Sequence, residues 1–203
     1  MEKIPNQGRP ISPEEFFNEK IEVHNVSKEE FLDFIKLMRP EDSDENILQE
    51  KGENFDIEDQ TYVFLRKDVF PEGYMPYLET HEKWEAYIAR KEGYNLFQKA
   101  VREYQKYKGI NLKNNEKAEE EFNNELGIYN YEFRHEYAIY KEYQHAMKDG
   151  KLDEYYKWFM DLREKEKLTA NEKNLKLIEN DTKIRESIYK KLTEGIKHSF
   201  TRN

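Results

Sequence analysis

Residues 116–149 read EKAEEEFNNELGIYNYEFRHEYAIYKEYQHAMKD. Phe122, Leu126, Tyr129, Phe133, Tyr140, Tyr143 and Met147 recur at alternating steps of four and three, and Glu136 alone interrupts the seam. That spacing lines one face of an α-helix. Ile128, Tyr131, Ala138, Ile139 and Ala146 fall on the opposite side. A helix apolar on two sides is sandwiched between neighbours. At about 1.5 Å per residue it runs roughly 50 Å, enough to span a domain. The fold class this predicts is mostly α: a multi-helix bundle with long antiparallel central helices.

Working outward, helical periodicity holds from Pro76 to about Lys108, with Gly93 inside it and Gly109 as its C-terminal cap. Residues 152–167 carry Tyr155, Tyr156, Trp158, Phe159 and Leu162, a further helix. Thr169-Ala170-Asn171-Glu172 reads as a capping box for a last helix through Leu175, Ile178, Ile184, Ile188 and Leu192. Ser12-Pro13-Glu14-Glu15 and Ser27-Lys28-Glu29-Glu30 are two more such boxes near the N-terminus. Thr61–Leu65 is the best strand, and Ile21–Val26 is expected to pair with it as a small two-stranded β ribbon in the N-terminal half.

The chain has 203 residues and is expected to form one helical domain over 1–203. Within it, 1–70 is an acidic part with short helices, an acidic loop and short strands; 71–198 is the long-helix bundle; 199–203 is a frayed tail. Only 36% of residues are hydrophobic, but fifteen Tyr, twelve Phe and two Trp supply an aromatic core. Absence of cysteine excludes a disulfide scaffold, a thiolate zinc site and a cysteine nucleophile. MEKIPNQGRP lacks the apolar run of a signal peptide, and no stretch reaches the roughly 20 apolar residues of a membrane span, so a cytoplasmic protein without a membrane partner is expected.

Most of the net charge of −9 is local: residues 1–60 hold 17 acidic and 7 basic side chains, and 41–59 contain Lys51 as the sole base. This disfavours nucleic acid as a partner and suits a basic protein partner. Glycine loops for phosphate, nucleophile elbows and dinucleotide fingerprints are absent from the sequence.

Three groupings have residue types suited to chemistry. In the first, His81-Glu82-Lys83-Trp84-Glu85 follows a strand-like segment at the start of a long helix. It resembles the zincin arrangement, where a strand precedes a helix carrying His-Glu-x-x-His, two histidines grip zinc and the glutamate activates water. The resemblance spans five residues and implies His81 and Glu85 as ligands and Glu82 as the catalytic group. Glu85 stands where the zincin pattern has its second histidine. In the second, Glu132-x-x-His135 and Glu142-x-x-His145 have the spacing by which helical bundles offer a carboxylate and an imidazole to one metal. Folding the two long helices back on each other about residue 112 puts His145, rather than His135, across from His81. The expected cluster is therefore His81, Glu85, Glu142 and His145, with Glu132 and His135 as alternatives, for zinc, iron or manganese. In the third, Asp42, Asp44, Asn46 and Glu53 fall at oxygen-ligand positions of a calcium loop, with Ile47 where its turn needs glycine.

The sequence alone ranks a non-enzymatic helical interaction protein first, binding a protein partner or a second copy of itself through exposed aromatics. A metal-binding protein or metal-dependent hydrolase or oxidase comes second, and an acidic mimic of nucleic acid third.

Overall fold

Ser12 accepts a hydrogen bond from the Glu15 backbone N–H at 3.2 Å, and the Glu15 carboxylate accepts one from the Ser12 N–H at 2.8 Å. This reciprocal exchange satisfies two otherwise orphaned donors. With Pro13 already at the helical φ, it opens α1 (Pro13–Glu19). Ser27 and Glu30 repeat the exchange for α2 (Lys28–Met38). The computed structural model describes residues 11–48, 50–89 and 116–194, and from 116 to 131 the backbone alone.

The structure is mostly helical with a small mixed sheet of three strands, one more than the expected ribbon. β1 (Ile21–Val26) pairs in parallel with the central strand β3 (Gln60–Arg66), whose other edge pairs antiparallel with β2 (Gly52–Ile57). The added strand lies in the stretch read as an acidic loop. Its charges are tolerated because β2 is an edge strand and because Arg39, at the end of α2, reaches Glu50 at 2.5 Å and Glu53 at 3.2 Å. The two-residue turn between β2 and β3 holds Glu58 at φ 55°, a conformation that favours glycine or asparagine, so this hairpin lacks the usual turn signature. Asp44, instead of standing in a calcium loop, begins the short helix α3 (Asp44–Ile47), capped by Ser43.

β3 is buried on both faces. Phe64 packs with Phe31, Ile35 and Ile47 on the α2 side, while Val63 and Leu65 join the main core. Beyond a 3₁₀ turn, Glu72–Tyr74, come α4 (Met75–Ala89), α5 (Glu116–Lys148), α6 (Leu152–Lys167) and α7 (Glu172–Thr193). Gly150, at φ 70°, ends α5 in the left-handed conformation that costs glycine least. Asn171 caps α7 by accepting from Asn174 N–H, so in place of the box expected at Thr169 a single cap stands two residues on. The expected extension of α4 through Gly93 to Lys108 lies outside the described residues, as do the side chains of Phe122, Leu126, Ile128, Tyr129 and Tyr131.

The core between these helices and the sheet is aromatic. Tyr77, Tyr143, Tyr155 and Phe159 are buried in it with Ile139 and Ile188. α4 and α5 meet through Thr80 with His145, His81 with Glu142 and Glu85 with His135, and Tyr77 bonds Asp149 just beyond the end of α5. No helix among the described residues is long and apolar enough to cross a membrane.

Candidate metal centre

Three helices each contribute two polar side chains from the same face. α4 supplies His81 and Glu85 one turn apart, α5 supplies His135 and Glu142 two turns apart, and α7 supplies Asp181 and Arg185 one turn apart. Such spacings keep both members of a pair on one face of their helix.

Glu85 is the meeting point. Its Oε1 lies 3.3 Å from His81 Nε2 and 2.7 Å from His135 Nδ1. One ligand atom from each of His81, Glu85 and His135 lies within 4.8 Å of the other two. A tetrahedral cation with ligands at about 2.1 Å sets its donors roughly 3.4 Å apart, close to the His81–Glu85 spacing. The far nitrogens are also held: His81 Nδ1 donates to Glu142 Oε2 at 2.8 Å and His135 Nε2 to Asp181 Oδ1 at 2.9 Å. Each imidazole therefore has its ring plane fixed by a buried carboxylate behind it and presents its other nitrogen to Glu85.

Cations and anions alternate through the network. Burial would lower the pKa of His81, but Glu85 and Glu142 hold it up at about 10. Burial pushes the Glu142 carboxyl up, and Arg185 with His81 overcomes this and holds it at about 2. Against the same desolvation, Arg185 and Arg163 keep Asp181 well below the usual carboxylate range. Glu82 differs: burial and then the Glu85 charge raise it to about 7.

His81, Glu85, His135 and Arg185 border a cavity of about 280 Å³ that also takes in Lys51, Gly52, Glu53, Phe70, Leu78, Phe159 and Arg163. Glu82 lines it, with Oε2 accepting from Asn54 Nδ2 at 3.1 Å. Comparison of the chain with protein-family models, curated proteins and solved structures finds no match. What the site does must come from its own geometry.

The structure places the sequence candidates as follows. His81 and Glu85 are together, Glu142 stands behind His81, and His135 rather than His145 is the second histidine beside them, with ring centroids 5.0 Å apart. His145 sits elsewhere, Nδ1 2.7 Å from Thr80 Oγ1 and its ring edge-on to Tyr77. Glu132 is exposed. Asp181, Arg185, Arg163 and Tyr155 were not among the candidates. Asp181 and Arg185 nevertheless fall on the same stripe of α7 as Ile178 and Ile188, a detectable sign of charge turned inward.

Gly52, the first residue of β2, borders the cavity beside Glu82. A Cβ there would lie 2.8 Å from Glu82 Oε1 and 3.0 Å from Leu65 Cδ2. Gly52→Ala should therefore push the Glu82 carboxylate off Asn54 and cost about 1–3 kcal/mol of stability, as overpacking does. Urea unfolding of the two proteins measures this; equal midpoints would mean that the approach is not tight.

Proposed function

We propose that this protein is a metal-dependent hydrolase, with His81, Glu85 and His135 holding the cation and Glu82 as general base, in a frame of long antiparallel helices. One observation carries the reading. Both histidines turn one nitrogen toward Glu85 while a separate buried carboxylate holds the other nitrogen. Histidine ligands are typically supported in this way, with the outer carboxylate fixing tautomer and ring orientation. Two histidines and one glutamate are also a donor set of catalytic zinc sites, which leave a fourth position for water or substrate.

The same donor set serves iron in oxygen chemistry. Glu82 favours hydrolysis. It lines the cavity beside the donors, and it accepts a hydrogen bond from the neutral Asn54 rather than from an arginine or lysine. A cation at the centre would supply Lewis acidity, and Glu82 offers the carboxylate that takes the proton from attacking water.

The interaction-protein reading drew on aromatics expected at the surface. Every phenylalanine, tyrosine and tryptophan with a described side chain is buried or half-buried, which supports the metal reading over it. The mimic reading made the acidic stretch 41–59 its working part; there Asp42, Glu50 and Glu53 pair with Arg39 and Asp44 pairs with Lys36, which offsets part of that charge.

Elemental analysis of the protein purified without a histidine tag tests the proposal. Near-stoichiometric zinc, iron or manganese is expected in the wild type. It should be lost in His81→Ala and in His135→Ala, and kept in His145→Ala and in Glu82→Gln. A wild type that stays metal-free after incubation with each ion overturns it.

A further inference from the structure

The bonds around the centre close into a ring of six side chains. His81 donates to Glu142 at 2.8 Å, and Arg185 Nη1 donates to Glu142 Oε1 at 2.6 Å. Arg185 Nε reaches Asp181 Oδ2 at 3.1 Å, Asp181 Oδ1 accepts from His135 at 2.9 Å, and Glu85 joins the two histidines. Arg185 is thus the bridge between the carboxylate behind one histidine and the carboxylate behind the other. It lies one helix away from the donors themselves.

We propose that Arg185 is a positioning residue that sets the cation affinity of the whole centre by coupling its two histidine supports. The inference rests on the metal-centre reading above and names what controls that site. Two carboxylates buried side by side repel, and each would turn away from the other if nothing stood between them. Arg185 lets both remain, because its planar guanidinium meets two acceptors in fixed directions. Each carboxylate can then keep one oxygen on an imidazole: Oε2 of Glu142 for His81 and Oδ1 of Asp181 for His135. The guanidinium is itself pinned, 3.7 Å above the Phe159 ring centroid. Arg163 also donates to Asp181, through Nε at 2.9 Å, but has no bond to Glu142, so it steadies one support and cannot join the two.

The consequence is non-additivity. Glu142→Gln and Asp181→Asn should each weaken Zn²⁺ binding about 10- to 100-fold, the range for lost outer carboxylates. Combined, they should weaken it by clearly less than the product, because either change alone already releases Arg185 from its bridging position. In Arg185→Lys, which keeps the charge and loses the fork, Zn²⁺ binding should weaken by at least tenfold, and the visible absorption of the Co²⁺-loaded protein should shift as the imidazoles reorient.

The experiment is competition of Zn²⁺ against a chromophoric chelator for the wild type, the two single variants, their double and Arg185→Lys. Circular dichroism confirms that each is folded. Wild-type affinity and an unshifted Co²⁺ spectrum in folded Arg185→Lys would overturn the inference. If that variant does not fold, the Glu142/Asp181 cycle decides, since simple multiplication of the two losses overturns it equally. A wild type that binds no Zn²⁺, iron or manganese would sink the metal-centre reading itself, a different and distinguishable failure.

Discussion

Glu142→Ala is expected to lower the unfolding free energy of the metal-free protein by about 3–5 kcal/mol, the usual cost of removing one partner from a buried ion pair. Glu142 is 1% exposed and serves three donors: His81 Nδ1 at 2.8 Å, the Tyr155 hydroxyl at 2.6 Å and Arg185 Nη1 at 2.6 Å. Alanine strands all three where the carboxylate itself was almost fully buried. The loss is therefore chiefly the penalty of leaving charge and donors unpaired, not the strength of the pair. Glu132→Ala, on an exposed turn of the same helix, is the control and should stay within about 0.5 kcal/mol of the wild type. Urea unfolding of both variants checks this, and matching midpoints would mean that the network adds nothing to the fold. Buried networks of this kind can often be exchanged for apolar side chains with little loss of stability. Six charged or ionisable groups kept beside a cavity thus call for a reason beyond stability, and holding a cation is the reason proposed here.

The helices were legible because their signals are local. The serine boxes at Ser12 and Ser27 and the three-four spacing around Tyr143 need no partner to be recognised. β2 was not, because Glu53 and Asp56 put charge into the strand and because Glu58-Asp59 is not a typical hairpin turn. At the site, folding the helices about residue 112 put His145 across from His81, whereas the structure pairs His81 with Glu142. The choice followed distance along the helix and not the face that Glu142 occupies. At 3.6 residues per turn, a three-residue step from Glu142 to His145 turns about 60° off its face, while the seven-residue step back to His135 returns within about 20°. His135 shares the face of Glu142 and reaches Glu85, the next turn of α4. The contribution of α7 was hidden for another reason. An Asp–Arg pair four residues apart usually reads as a solvated pair, and only its alignment with Ile178 and Ile188 shows that it points inward.

Phe159→Ala should be about as damaging as loss of Glu142, costing about 3–5 kcal/mol, as large-to-small changes of buried aromatics do. Phe159 is 1% exposed, packed against Phe70, Tyr155 and Trp158, and it also lines the cavity, so truncation enlarges an existing space that cannot simply collapse. Its ring also supports two guanidinium groups, Arg185 at 3.7 Å and Arg163 at 4.8 Å from the centroid. Desolvated contacts of this kind contribute up to about 2 kcal/mol each. Phe159→Leu separates the two roles, because leucine restores much of the apolar volume and none of the π face. Urea unfolding should then show a smaller loss, about 1–2 kcal/mol, for leucine than for alanine. Zn²⁺ affinity should fall in both, since Arg185 loses its seat in each. Leucine that restores stability and leaves Zn²⁺ affinity at the wild-type level would show that the carboxylates alone hold Arg185 in place, and the aromatic ring would then be packing only.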